Sequence, residues 1–224
     1  MVWFLDSPVS SFGRFFLDGD FVDWTERNET YFNTVLTDED RQKFNGRFNS
    51  YHAYVARKFS TDEGEILDHE WPTEFKTTRV YKTIGSVAEL LGQLRAVSAE
   101  FKEIIERFEP GIHKFNPVQL LKPNGEPYSG IYYLIAVQSF LDSFDPDQSD
   151  PEIWYKSKLS EHYQLTGPTS GISEFALRKT EFEGKHLWVE KKILGYNWIV
   201  SDELRSAMAD AKLVVPKMFK MKVV

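Results

Sequence analysis

Five histidines, at positions 52, 69, 113, 162 and 186, are the side chains best suited to acid–base or metal chemistry in this sequence. No two of them sit four residues apart, the spacing that places a pair of metal ligands on one helix face, and no His-Glu-x-x-His occurs. The Gly-x-Ser-x-Gly of a nucleophile elbow, a phosphate-cradling Gly-rich loop and a dinucleotide fingerprint are also missing; Ser129-Gly130 and Ser170-Gly171 are turn sequences without the elbow pattern. Without cysteine there is no thiol nucleophile, disulfide framework or Cys-type zinc site, which fits a reducing compartment.

The carboxylates offer little more. Asp142, Asp145, Asp147 and Asp150 share one loop, but the sharp-turn glycine and closing glutamate of a calcium-binding EF-hand are lacking, so a solvated loop is expected. Glu181 and Glu183, two apart, suit an exposed strand face better than a catalytic pair. Asn28-Glu29-Thr30 is a glycosylation sequon that matters only on secretion. An enzyme would need a site assembled from distant residues, for which His113, His186 and Glu203 are the candidates.

Charge is more informative. The net charge of −7 is unevenly placed: residues 1–75 carry 15 acids and 7 bases, 76–150 carry 10 and 8, and 151–224 carry 9 and 12. This balance argues against binding a phosphate backbone, whose affinity comes from Lys and Arg. An acidic front third either keeps the protein soluble or attracts a basic protein. The 34 aromatic residues (18 Phe, 10 Tyr, 6 Trp) supply a core without staples, and the length fits one compact domain or two small fused ones. Met1–Asp6 lacks the basic lead and apolar run of a signal peptide, and the longest apolar run, 131–137, is too short to span a bilayer. A soluble cytoplasmic protein is expected.

The elements that must position these residues follow from periodicity. Val2–Leu5 and Phe12–Leu17 are strand-like, and turns follow at Asp6-Ser7-Pro8 and Asp18-Gly19-Asp20. Thr37 caps a predicted helix with Asp38, Glu39 and Asp40 in its first turn, and Phe44, Phe48 and Tyr51 form one stripe if it runs through Gly46. Ser60–Glu70 is an acidic loop. Val87–Leu94 predicts a short helix, with Leu90, Leu91 and Leu94 on one side. Ser98 caps a second helix whose Phe101, Ile104, Ile105 and Phe108 share a face and which Pro110-Gly111 ends.

Beyond it, Ile112–Leu121 and Tyr128–Leu141 are predicted strands around the turn Pro123-Asn124-Gly125, and Asp142–Pro151 is a loop. Strands are also expected within 175–189, with Leu187 and Val189 facing the core and His186 and Trp188 on the other face, and within 213–223. Val200-Ser201-Asp202-Glu203-Leu204-Arg205 repeats Val97-Ser98-Ala99-Glu100-Phe101-Lys102 at an offset of 103, either by duplication or because two helices share one kind of start. The predicted class is α+β, an antiparallel-rich sheet packed by a few helices, with two related helix–strand halves if the repeat is a duplication.

Gly184-Lys185-His186-Leu187-Trp188, the connection through Leu194-Gly195, and Ile199-Val200-Ser201-Asp202-Glu203-Leu204 with a closing strand resemble the C-terminal signature of a bacterial polymorphic-toxin immunity family, immunity protein eleven, formerly a domain of unknown function. The Val97-Ser98 helix start, Phe115-Asn116-Pro117-Val118, and Tyr132–Ile135 running into Leu141-Asp142 resemble its middle portion. The family often carries a Gly-containing turn after its last helix, where this chain has Lys212-Leu213-Val214-Val215-Pro216. The resemblance covers about 80–224, read as an immunity-family-like α+β domain; residues 1–79 are read as an acidic strand/helix portion of the same compact unit.

The resemblance implies a non-catalytic protein that binds and neutralises a cognate toxin, delivered by a contact-dependent or type VI-like secretion system, in the producer's cytoplasm. It implies no catalytic residue, cofactor or metal, no nucleic acid or membrane partner, and a monomer or homodimer. Asp38, Glu39, Asp40, Asp62, Glu63 and Glu65 are the expected toxin contacts, because a nuclease toxin needs a basic surface that acids can mimic substrate against. The alternatives are an adaptor or structural protein of a secretion apparatus, or a small enzyme with the scattered site named above.

Overall fold

A computed structural model of the chain describes residues 1–6, 13–44, 50–62, 64–158, 161–166, 169–195 and 198–224. Expectations that fall on Ser7, Pro8, Phe12, Gly46, Phe48 and Glu63 lie outside the described residues. The fold is α+β, as the periodicity predicts, in two compact units that each draw on separated stretches of chain: residues 1–9, 100–114 and 137–224 in one, residues 10–99 and 115–136 in the other.

The unit of residues 10–99 and 115–136 has a six-stranded sheet ordered Gly19–Phe21, Glu74–Thr77, Lys114–Leu121, Tyr132–Ala136, Arg95–Ser98, Val87–Glu89. Its first pair is antiparallel, and Glu74–Thr77 runs parallel to Lys114–Leu121. Three helices belong to this unit, α1 (Trp24–Thr34), α2 (Asp38–Phe44) and α3 (Tyr51–Lys58). Phe21, Trp24, Val55, Phe75, Leu90, Leu94 and Leu134 are among its buried core residues, and Phe21 meets Trp24 and Phe75 edge-on at 5.0 Å.

The helix predicted from Thr37 is present, and the Thr37 hydroxyl accepts from the Asp40 amide at 3.2 Å. A separate helix begins at Tyr51, capped by Ser50, whose side chain accepts from the Ala53 amide. Two helices therefore carry Phe44 and Tyr51, whose rings still pack together at 5.4 Å.

Val87–Leu94 is a hairpin rather than a helix. Val87–Glu89 pairs antiparallel with Arg95–Ser98, and the chain reverses through Gly92 and Gln93, both in the left-handed region (φ 70° and 65°). Leu90 and Leu94 face one core because they flank that reversal, whereas Leu91 is exposed. Apolar spacings of three and four thus arose from a turn. The predicted turn at 123–125 does form, with the Gly125 amide donating to the Lys122 carbonyl and φ of 87° at Gly125.

The other unit has a five-stranded sheet ordered Met218–Lys220, Val2–Leu5, Trp198–Ser201, Leu187–Glu190, Phe140–Leu141. The N-terminal strand lies between two strands from the far end of the chain, antiparallel to both. The predicted helix after Ser98 is α4 (Ala99–Phe108), with Phe101, Ile104 and Ile105 buried. Two more helices follow, the short α5 (Lys179–Phe182) and α6 (Asp202–Asp210), the latter capped by Ser201. Arg95–Ser98 leads directly into α4 as Trp198–Ser201 leads into α6, so the sequence repeat is a strand–serine–helix phrase.

Three further expectations are corrected here. Tyr128–Leu141 is not one strand: Tyr132–Ala136 ends in one sheet, and Phe140–Leu141 pairs parallel with Leu187–Glu190 in the other. Between 175 and 189 only Ala176–Leu177 and Leu187–Glu190 are strands, because Lys179–Phe182 turns as α5. Leu187, Trp188, Val189 and Glu190 are all buried, so this strand has no exposed face; Trp188 stacks on Phe182 at 5.2 Å. A strand covered on both faces loses the alternation from which an outward Trp188 was expected.

Gly19 sits where the edge strand crosses the buried Phe75 ring. A Cβ there would lie 2.7 Å from the ring and also meet the Lys76 carbonyl. Gly19→Ala is expected to cost about 1–3 kcal/mol in urea denaturation, as overpacking does. An unchanged midpoint would show that this strand pairing does not hold in solution.

Candidate interaction site and two buried polar hubs

The described acidic candidates belong to one unit, on α2 and in the segment after α3. Asp38 and Glu39 are exposed in the first turn of α2, and Asp40 is half-buried. Arg41 ties this turn down: its guanidinium bonds Asp38 Oδ1 at 2.7 Å and the Asn33 carbonyl, at the end of α1, at 2.6 Å. Asp62 and Glu65 are exposed in the segment after α3. Glu63, the sixth candidate, lies outside the described residues.

Residues 60–70 are not the free loop that their composition suggests. Glu70 is fully buried, and Lys58, in the last turn of α3, is 5% exposed. Lys58 Nζ lies 2.6 and 2.8 Å from the two Glu70 carboxylate oxygens and donates also to the Glu65 carbonyl at 3.0 Å. The Tyr51 hydroxyl donates to Glu70 Oε1 at 2.9 Å, and the Leu67 amide to Oε2 at 2.8 Å. Burial first, then the Glu70 charge, pushes the Tyr51 hydroxyl far above its ordinary pKa, so it remains a donor.

The backbone of the segment is held from α1. Trp24 Nε1 donates to the Glu70 carbonyl at 2.7 Å, and Arg27 donates to the carbonyls of His69 and Trp71 at 3.1 and 2.8 Å. Tyr31 stacks on His69 with ring centroids 3.8 Å apart. Burial lowers the His69 pKa, which favours the neutral ring. Sequence reasoning missed Glu70 and Lys58. One carboxylate in an acidic run carries no mark of burial, and its partner lies twelve residues away on a helix.

In the other unit two of the scattered enzyme candidates, His113 and His186, meet at a residue that the sequence did not single out, Glu109. The Glu109 carboxylate accepts from His113 Nε2 at 2.8 Å and from the backbone amides of His186 and Leu187, each at 3.0 Å. The Gln138 amide donates to His113 Nδ1 at 3.2 Å, which places the ring proton on Nε2, facing Glu109. Burial pushes the Glu109 carboxyl up, but the bonds from His113 and the two amides outweigh it and hold it below the usual carboxylate range.

The His186 ring pairs with Ser201 Oγ at 2.8 Å, and Ser201 Oγ also accepts from the Leu204 amide at 3.1 Å as the cap of α6. Glu203 is exposed, held below its ordinary range by its own amide and then by the Ser201 hydroxyl. A serine, a histidine and a carboxylate thus do approach one another. The serine is a buried helix cap, and the carboxylate beside the histidines receives backbone donors of the sheet. That arrangement orients the strand Leu187–Glu190 against α4; it presents no activated nucleophile to solvent.

The acidic loop 142–150 is likewise engaged internally. Asp145 Oδ1 accepts the amides of Asp147 and Gln148, Asp150 Oδ1 accepts that of Glu152, and Asp142 pairs with Lys192 at 2.8 Å. Among the described residues no group of three or more His, Asp and Glu side chains is placed to hold a metal ion, and no helix is long and apolar enough to cross a membrane.

An α+β protein with an acidic helical surface, and with its clustered histidines committed to structure, is the class that this geometry defines. The model of the Immunity protein family (Imm11) matches residues 25–221, and the chain belongs to that family. The match reaches well before residue 80, so the helical, acidic part is family sequence too. No curated protein matches the chain.

Three variants probe the hubs. Glu70→Ala, which strands the Lys58 charge, is expected to cost about 3–5 kcal/mol, whereas the double change Lys58→Met with Glu70→Leu should recover only part of that loss, because the Tyr51 hydroxyl and the Leu67 amide still lack their acceptor. A single variant as stable as the parent in urea titration would sink this account. For Glu109 the lowered pKa fixes a sign: its stabilisation is complete above the ordinary carboxylate pKa and is lost as pH falls through the folded value. Glu109→Gln should cost about 1.5–3 kcal/mol at pH 7, the range for hydrogen bonds to a charged group. The gap from the parent should narrow as acid protonates the parent carboxylate; a gap independent of pH would contradict the assignment.

Proposed function

We propose that the protein is a non-catalytic immunity protein that binds a cognate secreted toxin in the producer's cytoplasm and neutralises it by occupying a basic functional surface, such as that of a nuclease. The observation that carries this reading is the family match together with the acidic candidates: Asp38 and Glu39 on α2, and Asp62 and Glu65 in the segment after α3, are exposed on stretches whose backbone is tied down from within. Asp40 and Glu63 belong to the same two segments and complete the proposed contact.

The physics of such an inhibitor supports the assignment. A toxin that holds nucleic acid needs Lys and Arg where the phosphates lie, and a rigid acidic surface competes for those cations without chemistry of its own. Long-range attraction raises the rate of encounter, which suits a protein that must intercept an incoming toxin before it acts. The proposed secretion route, contact-dependent or type VI-like, is consistent with immunity being needed among neighbouring cells.

The test is to express the adjacent toxin reading frame in a sensitive host with and without this protein. Relief of killing by this protein alone is the expected result; killing that it does not relieve would overturn the reading. Reversing Asp38, Glu39, Asp62 and Glu65 to lysine should slow association at least about tenfold at low salt and flatten its salt dependence. An unchanged association rate would remove the acidic segments from the interface.

A further inference from the structure

Two exposed apolar side chains lie within the acidic segments. Val35, the residue that ends α1, is 61% exposed, and Leu67 is 41% exposed. Arg27, Tyr31 and Val35 follow one another at intervals of four and so form one row on α1. Arg27 holds the carbonyls of Trp71 and His69, and one turn later Tyr31 lies on the His69 ring. The row is thus laid against the segment that carries Leu67, two residues before His69, and Val35 is its next position.

Exposed acids lie close to both in the chain: Asp38 and Glu39, at the start of α2, come three and four residues after Val35, and Glu65 and Asp68 flank Leu67. We infer that Val35 and Leu67 are the apolar anchors of the toxin interface, docking on a protein surface that offers an apolar contact ringed by lysine and arginine. This rests on the immunity reading and adds to it the centre of the interface and the chemistry of its partner.

An apolar centre with a charged rim is how protein interfaces divide their roles: the centre slows dissociation and the rim guides association. The backbone beneath Leu67 is fixed in advance. Its amide is bonded to the buried Glu70 carboxylate, its carbonyl accepts from the Glu70 amide at 2.9 Å, and Lys58 holds the Glu65 carbonyl. The Val35 amide is bonded to the Tyr31 carbonyl at 2.9 Å. Little ordering remains to be done when a partner arrives, which favours tight binding.

Surface plasmon resonance against the inactivated product of the adjacent toxin reading frame tests this. The double variant Val35→Ser with Leu67→Ser should dissociate at least about tenfold faster, with an unchanged association rate and an unchanged melting temperature. Val80→Ser with Ile131→Ser, which alters two side chains of similar or greater exposure elsewhere on this unit, is the control and should bind as the parent does. Parent-like dissociation of the first variant, a change confined to its association, or equal weakening by the control would overturn the anchor assignment and leave the immunity reading intact. A parent protein that does not bind at all would overturn both.

Discussion

The buried ion pair between Lys58 and Glu70 is the constraint around which the helical side of this protein is arranged. Two charges taken out of water are tolerated only if every remaining lone pair and proton finds a partner, and here they do. Glu70 takes bonds from Lys58, Tyr51 and the Leu67 amide, while Lys58 also holds the Glu65 carbonyl. Satisfying one carboxylate thereby pins the end of α3, the start of the same helix and the following segment together. Trp24 and Arg27 extend the constraint to α1 by holding carbonyls of residues 69–71. A stretch rich in acids, which on composition belongs among solvated loops, becomes a fixed surface.

Glu109 obeys the same rule in the other unit with a different outcome. Its partners are a histidine and two backbone amides, and all are donors, so the carboxylate stays charged although it is buried. Glu190 shows the contrast. It takes bonds from the Ser143 hydroxyl and amide and from the Lys192 amide, yet burial dominates and raises its pKa. The number of donors does not settle the charge state of a buried acid; the degree of burial and the type of donor do. Both groups join strands and loops distant in sequence, which accounts for charged residue types among the buried side chains of this unit.

For a member of an immunity family these features have a common consequence. On the proposed reading, inhibition by surface competition asks for a shape that is held before contact and for charge that acts at a distance. The Lys58–Glu70 pair, which fixes the segment that carries Glu65, would supply the first, and the exposed acids of the two segments the second. Histidines and a serine that approach one another in the fold are bound up in capping and strand alignment, so a superficial likeness to a hydrolytic constellation has a structural explanation.

How much of this was legible in the sequence depends on the range of the interaction. Helices α4 and α6, their serine starts, the turn at Asn124-Gly125 and the terminal strand Val2–Leu5 were readable, because capping, amphipathic spacing and turn preference act over a few residues. The same local signals misled at Val87–Leu94, where a left-handed Gly92-Gln93 reversal reproduces helical spacing, and at Trp188, where a strand covered on both faces has no alternation to read. The acidity of the 62–65 segment was visible, but the burial of Glu70 was not, since Lys58 reaches it only when α3 folds back on the segment. Glu109 gave no signal either: two of its donors lie 77 and 78 residues away. By itself, then, the sequence determined the fold class, the charge and the family resemblance, all properties of composition and short-range order. Which carboxylates are buried, and which stay exposed, was decided only by the tertiary structure, because desolvation depends on neighbours that the chain brings together from far apart.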